Sequence, residues 1–179
     1  SRQCCLHGGL CLKAMALKGA IDDNVQWPLE ESTKLNQIET LLNEYIRGED
    51  AAQHKTIIYT EFTIMIIKFL APFLKQKGFN FVEAHGKMGI QRRMESILTF
   101  QKSRDTHILL AHTKSIGLGL NIIEANEIIF LEPNWNPFLE RQSIGRLLRP
   151  GQKRKVRVRR LIIVLEPNNK PQGKQTTSN

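Results

Sequence analysis

The 179-residue chain holds only three cysteines, Cys4, Cys5 and Cys11, all within its first eleven residues. An odd number with no long-range spacing excludes a secreted disulfide scaffold. Even with His7 among them, they lack the two spaced ligand pairs of a structural zinc site, so buried helical thiols are the expectation. No apolar run reaches the roughly 18 residues that cross a bilayer, and no signal-peptide layout is present, so an intracellular protein is expected. The chain opens on Ser1 rather than methionine, which suggests a fragment or a processed product. A nucleotide phosphate loop is missing as well. No Gly-Lys-Ser/Thr ending occurs; after Gly86-Lys87 comes Met88, and Phe81 stands where the leading glycine belongs. Nor does an Asp-Glu pair follow an apolar strand to hold magnesium. Acidic residues are scarce, 17 against 26 lysines and arginines, which leaves a net charge of +9 and a pI near 9.7. Such a surplus favours a polyanion, either nucleic acid or an anionic membrane surface, and charge alone does not choose between them.

What is present describes one globular domain. Hydrophobic residues make up 41% of the chain and charged residues 24%, enough for a buried core. Residues 1–31 read as a helical arm and a polar connector containing Gly19, Asp22, Asp23, Asn24 and Pro28. Ser32 or Thr33 can cap a helix with Leu35, Ile38, Leu41, Leu42, Tyr45 and Ile46 on one face, ended by Gly48. Short apolar runs at Thr56–Thr60, Phe79–Ala84, His107–Ala111, Glu127–Leu131 and Val156–Leu165 then predict strands. Thr63–Lys77, Gly89–Gln101 and Pro137–Leu148 predict the helices between them. This alternation implies an α/β domain over residues 32–165, a parallel sheet sandwiched by helices. The polar stretch 166–179 reads as a disordered tail.

In an open parallel sheet, ligands gather at the carboxyl ends of the strands. Four stretches fall there: Tyr59–Phe62, His85–Met88, Thr113–Asn121 and Glu132–Pro137. In the third, Gly117 and Gly119 would let backbone N–H groups approach a phosphate, with Thr113 as a hydroxyl donor and Lys114 as a cation. A tight turn into a helix would look the same. In the stretch Gln142–Gln152, Arg146 and Arg149 lie three apart on a predicted helix, and Gln142 sits one turn before Arg146. Two guanidiniums on one face can neutralise the charge that develops in phosphoryl transfer. A solvated basic helix end is the plain alternative. Lys153, Arg154, Lys155, Arg157, Arg159 and Arg160 could form a nuclear-localisation signal, but Val156 and Val158 alternate with them and favour an edge strand.

Thr113-Lys114-Ser115-Ile116-Gly117-Leu118-Gly119-Leu120-Asn121, then Trp135-Asn136-Pro137, then Gln142 to Gln152, resemble motifs V, Va and VI of the Swi/Snf-type ATPases of helicase superfamily two. Ile57 to Thr63 resembles motif IV, and the likeness extends over about residues 2 to 165, from Leu6-His7 through Ser32-Thr33-Lys34-Leu35 and His85-Gly86-Lys87-Met88. The resemblance implies a RecA-like second helicase lobe. It implies that Arg146 and Arg149, beside Gln142, reach ATP across an inter-lobe cleft, and that Thr113, Gly117, Gly119 and Asn121 couple the cleft to DNA. Trp135 matches a DNA-contacting tryptophan, although a core aromatic would also account for it. Tyr59, Thr60, Phe62, Gly86, Lys87, Thr113 and Lys114 are implied on the DNA-backbone-tracking surface. ATP is the implied cofactor, with Mg2+ held by a first RecA-like lobe in cis. Double-stranded DNA, and with it nucleosomes, are the implied partners, in a nuclear protein of chromatin remodelling or DNA repair. Three positions depart from the family: Ile116 stands where glycine is usual, Gly145 where aspartate is usual, and Leu148 where histidine is usual.

A DNA translocase lobe, inactive alone for want of the nucleotide cradle, is therefore the leading expectation. The alternatives are a truncated, non-catalytic nucleic-acid-binding remnant and, less favoured by Trp135-Asn136-Pro137 and Gly151-Gln152, an RNA-helicase lobe.

Overall fold

A computed structural model describes residues 32–46, 54–113, 115 and 121–163. The amino-terminal arm with its cysteines, Gly48, Lys114, residues 116–120 and the tail lie outside the described residues. Five strands form a single, wholly parallel sheet: β1 (Thr56–Thr60), β2 (Phe81–Ala84), β3 (Ile108–His112), β4 (Glu127–Phe130) and β5 (Arg157–Arg160). Their spatial order is β2-β3-β1-β4-β5, so β1 is central and Thr56 pairs with both Ile108 and Glu127.

Side chains that alternate along β1 go to opposite faces. Ile58 joins Leu35, Ile38, Leu42, Met65, Phe73 and Ile129 on one side, beneath α1 (Thr33–Ile46) and the helical run from Thr63 to Gln76. Ile57 and Tyr59 join Ile97, Phe100, Leu109, Ile128 and Leu147 on the other, beneath α4 (Ile90–Lys102) and the segment that follows α5 (Pro137–Ile144). Both faces are covered, which is why the strands read as continuous apolar runs rather than alternating ones.

Local chemistry sets the helix limits. The Ser32 hydroxyl accepts from the amide of Leu35 at 3.5 Å, and the Leu35, Ile38, Leu41, Leu42 stripe faces the core as its spacing predicts. The run from Thr63 begins as α2 (Thr63–Met65), widens to a π-helical turn over Ile66–Leu70, and resumes as α3 (Ala71–Gln76). Pro72, in the first turn after the π segment, has no N–H to return to the preceding turn, and a π turn accommodates that loss. Gly78, at φ 75°, ends α3, and the amide of Phe79 closes the turn on the carbonyl of Leu74 at 2.9 Å.

Most predicted limits shift by one or two residues, and two shift further. The helix expected over Pro137–Leu148 ends at Ile144, and the strand expected over Val156–Leu165 spans only Arg157–Arg160. After Ile144 the chain tightens: Arg146 N–H bonds to Ser143 C=O at 3.2 Å, and Leu147 N–H to Ile144 C=O at 3.0 Å. That turn carries Leu147 into the core. β5 is an edge strand, with Val158 packed on the second core and Arg159 turned toward α1.

Its arginines have protein partners. Arg159 bonds to the fully buried Glu127 at 2.9 Å and to the Tyr45 hydroxyl, and Arg157 lies over the Tyr45 ring. His54 stacks on Tyr45 and bonds to the other oxygen of Glu127 at 3.0 Å. Burial alone would raise the Glu127 carboxyl, but these hydrogen bonds and charges hold it below the usual glutamate value. Lys55 enters β1 with its ammonium on the carbonyls of Phe100 and Ser103, where it satisfies the end of α4.

Candidate functional site at the carboxyl edge of the sheet

With every strand parallel, all carboxyl ends open on one edge, and the four predicted stretches begin there; Asn121, which ends the third, lies instead toward the amino edge against Gln101. Thr60 ends β1 and Glu132 follows β4. The Thr60 hydroxyl donates to Glu132 Oε1 at 2.9 Å, and the amide of Glu61 donates to the same oxygen. The Glu132 carboxyl is only 6% exposed, and its Oε2 has no hydrogen-bond partner. Burial pushes this carboxyl above the usual range, against the pull of the Glu61 amide, the Thr60 hydroxyl and the Lys34 charge. Lys34, at the start of α1, bonds to the carbonyl of Leu131 just before it.

Trp135 is 82% exposed on the loop after β4, so it is a surface residue and not a core aromatic. The loop is held from below: the amides of Asn134 and Phe138 donate to Glu140 Oε1 and Asn136 Oδ1 at 2.9 and 3.0 Å. Asn136 thereby caps α5, whose first position is Pro137. Glu140 in turn holds Arg160 at 2.7 Å.

Around β2 and β3, Gly86 and Lys87 are exposed, whereas His85 is buried and bonds to Glu83 at 3.1 Å. Thr113 is buried at the end of β3, its amide and hydroxyl directed at the carbonyl of Thr60. Arg93 of α4 reaches the carbonyl of Ser115 at 3.4 Å. Lys114, Gly117 and Gly119 lie outside the described residues. Asn121 is exposed, and its carbonyl accepts from Gln101 at 2.9 Å.

The arginine stretch differs most from expectation. Gln142, Arg146 and Arg149 do not share a helical face, because the helix stops before Arg146. Arg146 is 5% exposed, whereas Gln142 and Arg149 are open to solvent. The Arg146 charge and the Ser143 hydroxyl bear on the Tyr59 phenol, which burial pushes up to about 12. Tyr59 itself stacks on Phe130 inside the core. Tyr59 therefore cannot offer its side chain to DNA, and Thr60 is likewise buried and engaged with Glu132. Phe62 packs against the core beneath α1 and is only partly accessible. All three remain near the edge through their backbone.

Glu132 and Arg93 carry much of the edge geometry and were not singled out as site residues by their spacing. A signal was available for Glu132, an acid directly after an apolar run, as the ends of α/β strands often supply.

A parallel five-stranded sheet with paired helix layers, an arginine segment and an exposed Trp-Asn-Pro loop at one edge defines a RecA-like helicase lobe. Residues 33–151 match the helicase conserved C-terminal domain. The chain is 34% identical over 134 residues to the DNA repair protein RAD5B of Arabidopsis thaliana, covering 75% of this chain and 10% of that protein. Over 134 residues it is 31% identical to the chromatin-remodeling ATPase INO80 of Candida albicans, 75% of this chain and 9% of that one. The ATP-dependent helicase ULS1 of Saccharomyces cerevisiae is 35% identical over 136 residues, 75% of this chain and 8% of that one. The crystal structure of the C-terminal part of the Fun30 ATPase domain superimposes with a TM-score of 0.69 at 25% identity, over 85% of this chain and 49% of that one. The chain belongs to the helicase conserved C-terminal domain family, as a Swi/Snf-type lobe of superfamily two. It spans about a tenth of the length of these curated relatives.

Proposed function

We propose that this chain works as the second lobe of an ATP-driven translocase on double-stranded DNA, in chromatin remodelling or DNA repair in the nucleus. The observation that supports it best is the joining of two segments near the start of β4. Ile122, just after the loop leaving β3, donates its amide to the carbonyl of Arg146 at 3.0 Å. A group that meets DNA and a group that meets nucleotide then share one hydrogen-bonded unit.

Arg149 and Gln142 are open to solvent, whereas Arg146 is buried. Closure of a first lobe would bring ATP to Arg149 and Gln142, and a small opening beside Arg146 would admit its guanidinium. Bound ATP with Mg2+ on the first lobe supplies the phosphoryl group. The role of this chain is to hold positive charge against it and to release once the phosphoryl group has left. Trp135, Gly86 and Lys87 form the exposed side of the DNA-tracking surface at the carboxyl edge, Asn121 is exposed beside Gln101, and Thr113 is buried at the end of β3.

The test is duplex binding by the chain at rising salt, read by fluorescence anisotropy. Affinity should fall steeply, with log K linear in log salt as phosphate contacts are screened. Affinity that does not change between low and moderate salt would sink the reading. Without a first lobe the chain should show no DNA-stimulated ATP hydrolysis, and measurable turnover would refute the division of labour.

A further inference from the structure

A cavity of about 360 Å³ opens between the loop after β4 and the residues that follow β5. Its walls are largely apolar: Trp135 on the loop, and Leu161, Ile162 and Ile163 beyond the end of the strand. Leu161 packs on the first core, whereas Ile162 and Ile163 are 62% and 42% exposed. Two polar residues line the same space, Glu132 and Asn134. Oε1 of Glu132 is taken by Thr60 and Glu61, which leaves Oε2 as an acceptor shut off from bulk water and without a partner. Asn134 is fixed in the same way. Its Oδ1 accepts from the amide of Asn136 at 2.8 Å, which orients the carboxamide and leaves Nδ2 as a shielded donor without a partner. A donor and an acceptor in such water-poor surroundings bind their complements more strongly than a hydrated pair would.

We propose that this cavity binds an uncharged, extended peptide segment of a partner protein. One aliphatic side chain of that segment lies between Trp135 and Ile162, and the same residue places its N–H on Glu132 and its C=O on Asn134. In an extended chain the N–H and C=O of one residue point to the same side and its side chain stands across them, so a single residue supplies all three contacts. Charge selects against the other occupants. Lys34 is the one cation among the lining residues, its ammonium bonds to the carbonyl of Leu131, and the Glu132 carboxyl would repel a phosphate. A nucleotide or an anionic lipid is therefore a poor fit. The Lys34 charge also offsets that of Glu132, so a cationic side chain would meet little net charge. A neutral amide on an aliphatic body meets every group present, whether or not the edge meets DNA.

The experiment is NMR of the full chain, methyl-labelled at isoleucine and nitrogen-labelled at tryptophan, titrated with acetyl-Ser-Gly-Leu-Gly-Ser-amide. The methyl signals of Ile162 and Ile163 and the indole signal of Trp135 should move together along one saturable curve. Replacing the peptide's leucine by glycine should weaken binding about tenfold or more, because an aliphatic side chain is no longer buried. Asn134→Asp keeps the acceptor for Asn136 and turns the donor into an acceptor, and should weaken the leucine peptide about fivefold or more. Should Asn134→Asp fail to fold, Ile162→Ser, at an exposed position, should give a like loss. Stationary signals, as when another segment of this chain already fills the cavity, overturn the proposal. So does equal binding of the glycine peptide, or a variant that binds the leucine peptide as the wild type does. Thymidine monophosphate is the control for a nucleic-acid site. If it shifts these signals at lower concentration than the peptide, the cavity is not a peptide site.

Discussion

Thr60 and Glu132 meet across the ends of β1 and β4, hydroxyl to carboxylate at 2.9 Å, with the amide of Glu61 on the same oxygen. The central strand and its neighbour are thus latched at the edge where the functional stretches gather. The latch is made by a carboxyl that burial raises above its ordinary value.

Removing the hydroxyl should therefore be felt twice. Thr60→Val takes away a hydrogen bond to a buried carboxyl, and the expected loss is about 1.5 kcal/mol in urea denaturation. It should also raise the Glu132 carboxyl further, which a carbon-detected NMR titration would follow. An unchanged midpoint and an unchanged titration would show that the latch is ornamental.

Glu127 gives the opposite pH signature. Its folded value lies below the ordinary 4.5, so its contribution is present above 4.5 and is lost as pH falls through the folded value. At neutral pH, Glu127→Gln should cost about 2 kcal/mol, because His54 and Arg159 lose a charged acceptor. Thermal melts of both proteins from pH 7 downward should converge below 4.5. A gap that holds constant to pH 3 would contradict the assignment.

The two arginines should part company in stability. Arg146→Ala removes a buried side chain and is expected to cost about 1–2 kcal/mol, whereas Arg149→Ala should stay within about 0.5 kcal/mol. Chemical denaturation distinguishes them. Equal effects would mean that Arg146 is not packed as described.

The helix α1 should prove part of the domain and not an appendage. Ile38 is fully buried with Ile58 and Phe73, so Ile38→Ala should cost about 3 kcal/mol and lower the single unfolding transition. A melt in which the sheet transition stays put would place the domain boundary after α1, not before it.

The sheet was legible because buried parallel strands leave a plain trace. Thr56–Thr60 is short, rich in β-branched residues and buried throughout, and it occupies the predicted residues. The end of α5 was harder. Gly145 to Leu148 keep a spacing that a helix would tolerate, and what stops the helix is partly local and partly tertiary. The Arg146 carbonyl would need an amide four residues on, but that residue is Pro150, which has none. The carbonyl is taken instead by Ile122, more than twenty residues earlier in the chain. Pro150 was thus a readable stop signal, whereas its replacement partner was not. Likewise, the alternation of Val156 and Val158 with arginines announced an edge strand. No local pattern could announce that Arg159 meets Tyr45, which lies on α1. The inward course of Tyr59 follows from simple alternation with Ile58, and the motif likeness at that position concerns the backbone edge more than the phenol.

The strand order has a consequence for biosynthesis. β1 is the centre of the sheet yet precedes the other described strands in the chain, and its earliest partner among them, β3, pairs Ile108 with Thr56. Until that later stretch has emerged, an apolar Thr-Ile-Ile-Tyr-Thr segment waits with both edges open. Sheets closed by such distant pairings fold slowly and are prone to capture by other chains meanwhile. A ribosome stalled between β2 and β3 should therefore present this segment to chaperones, and one stalled after β4 should not.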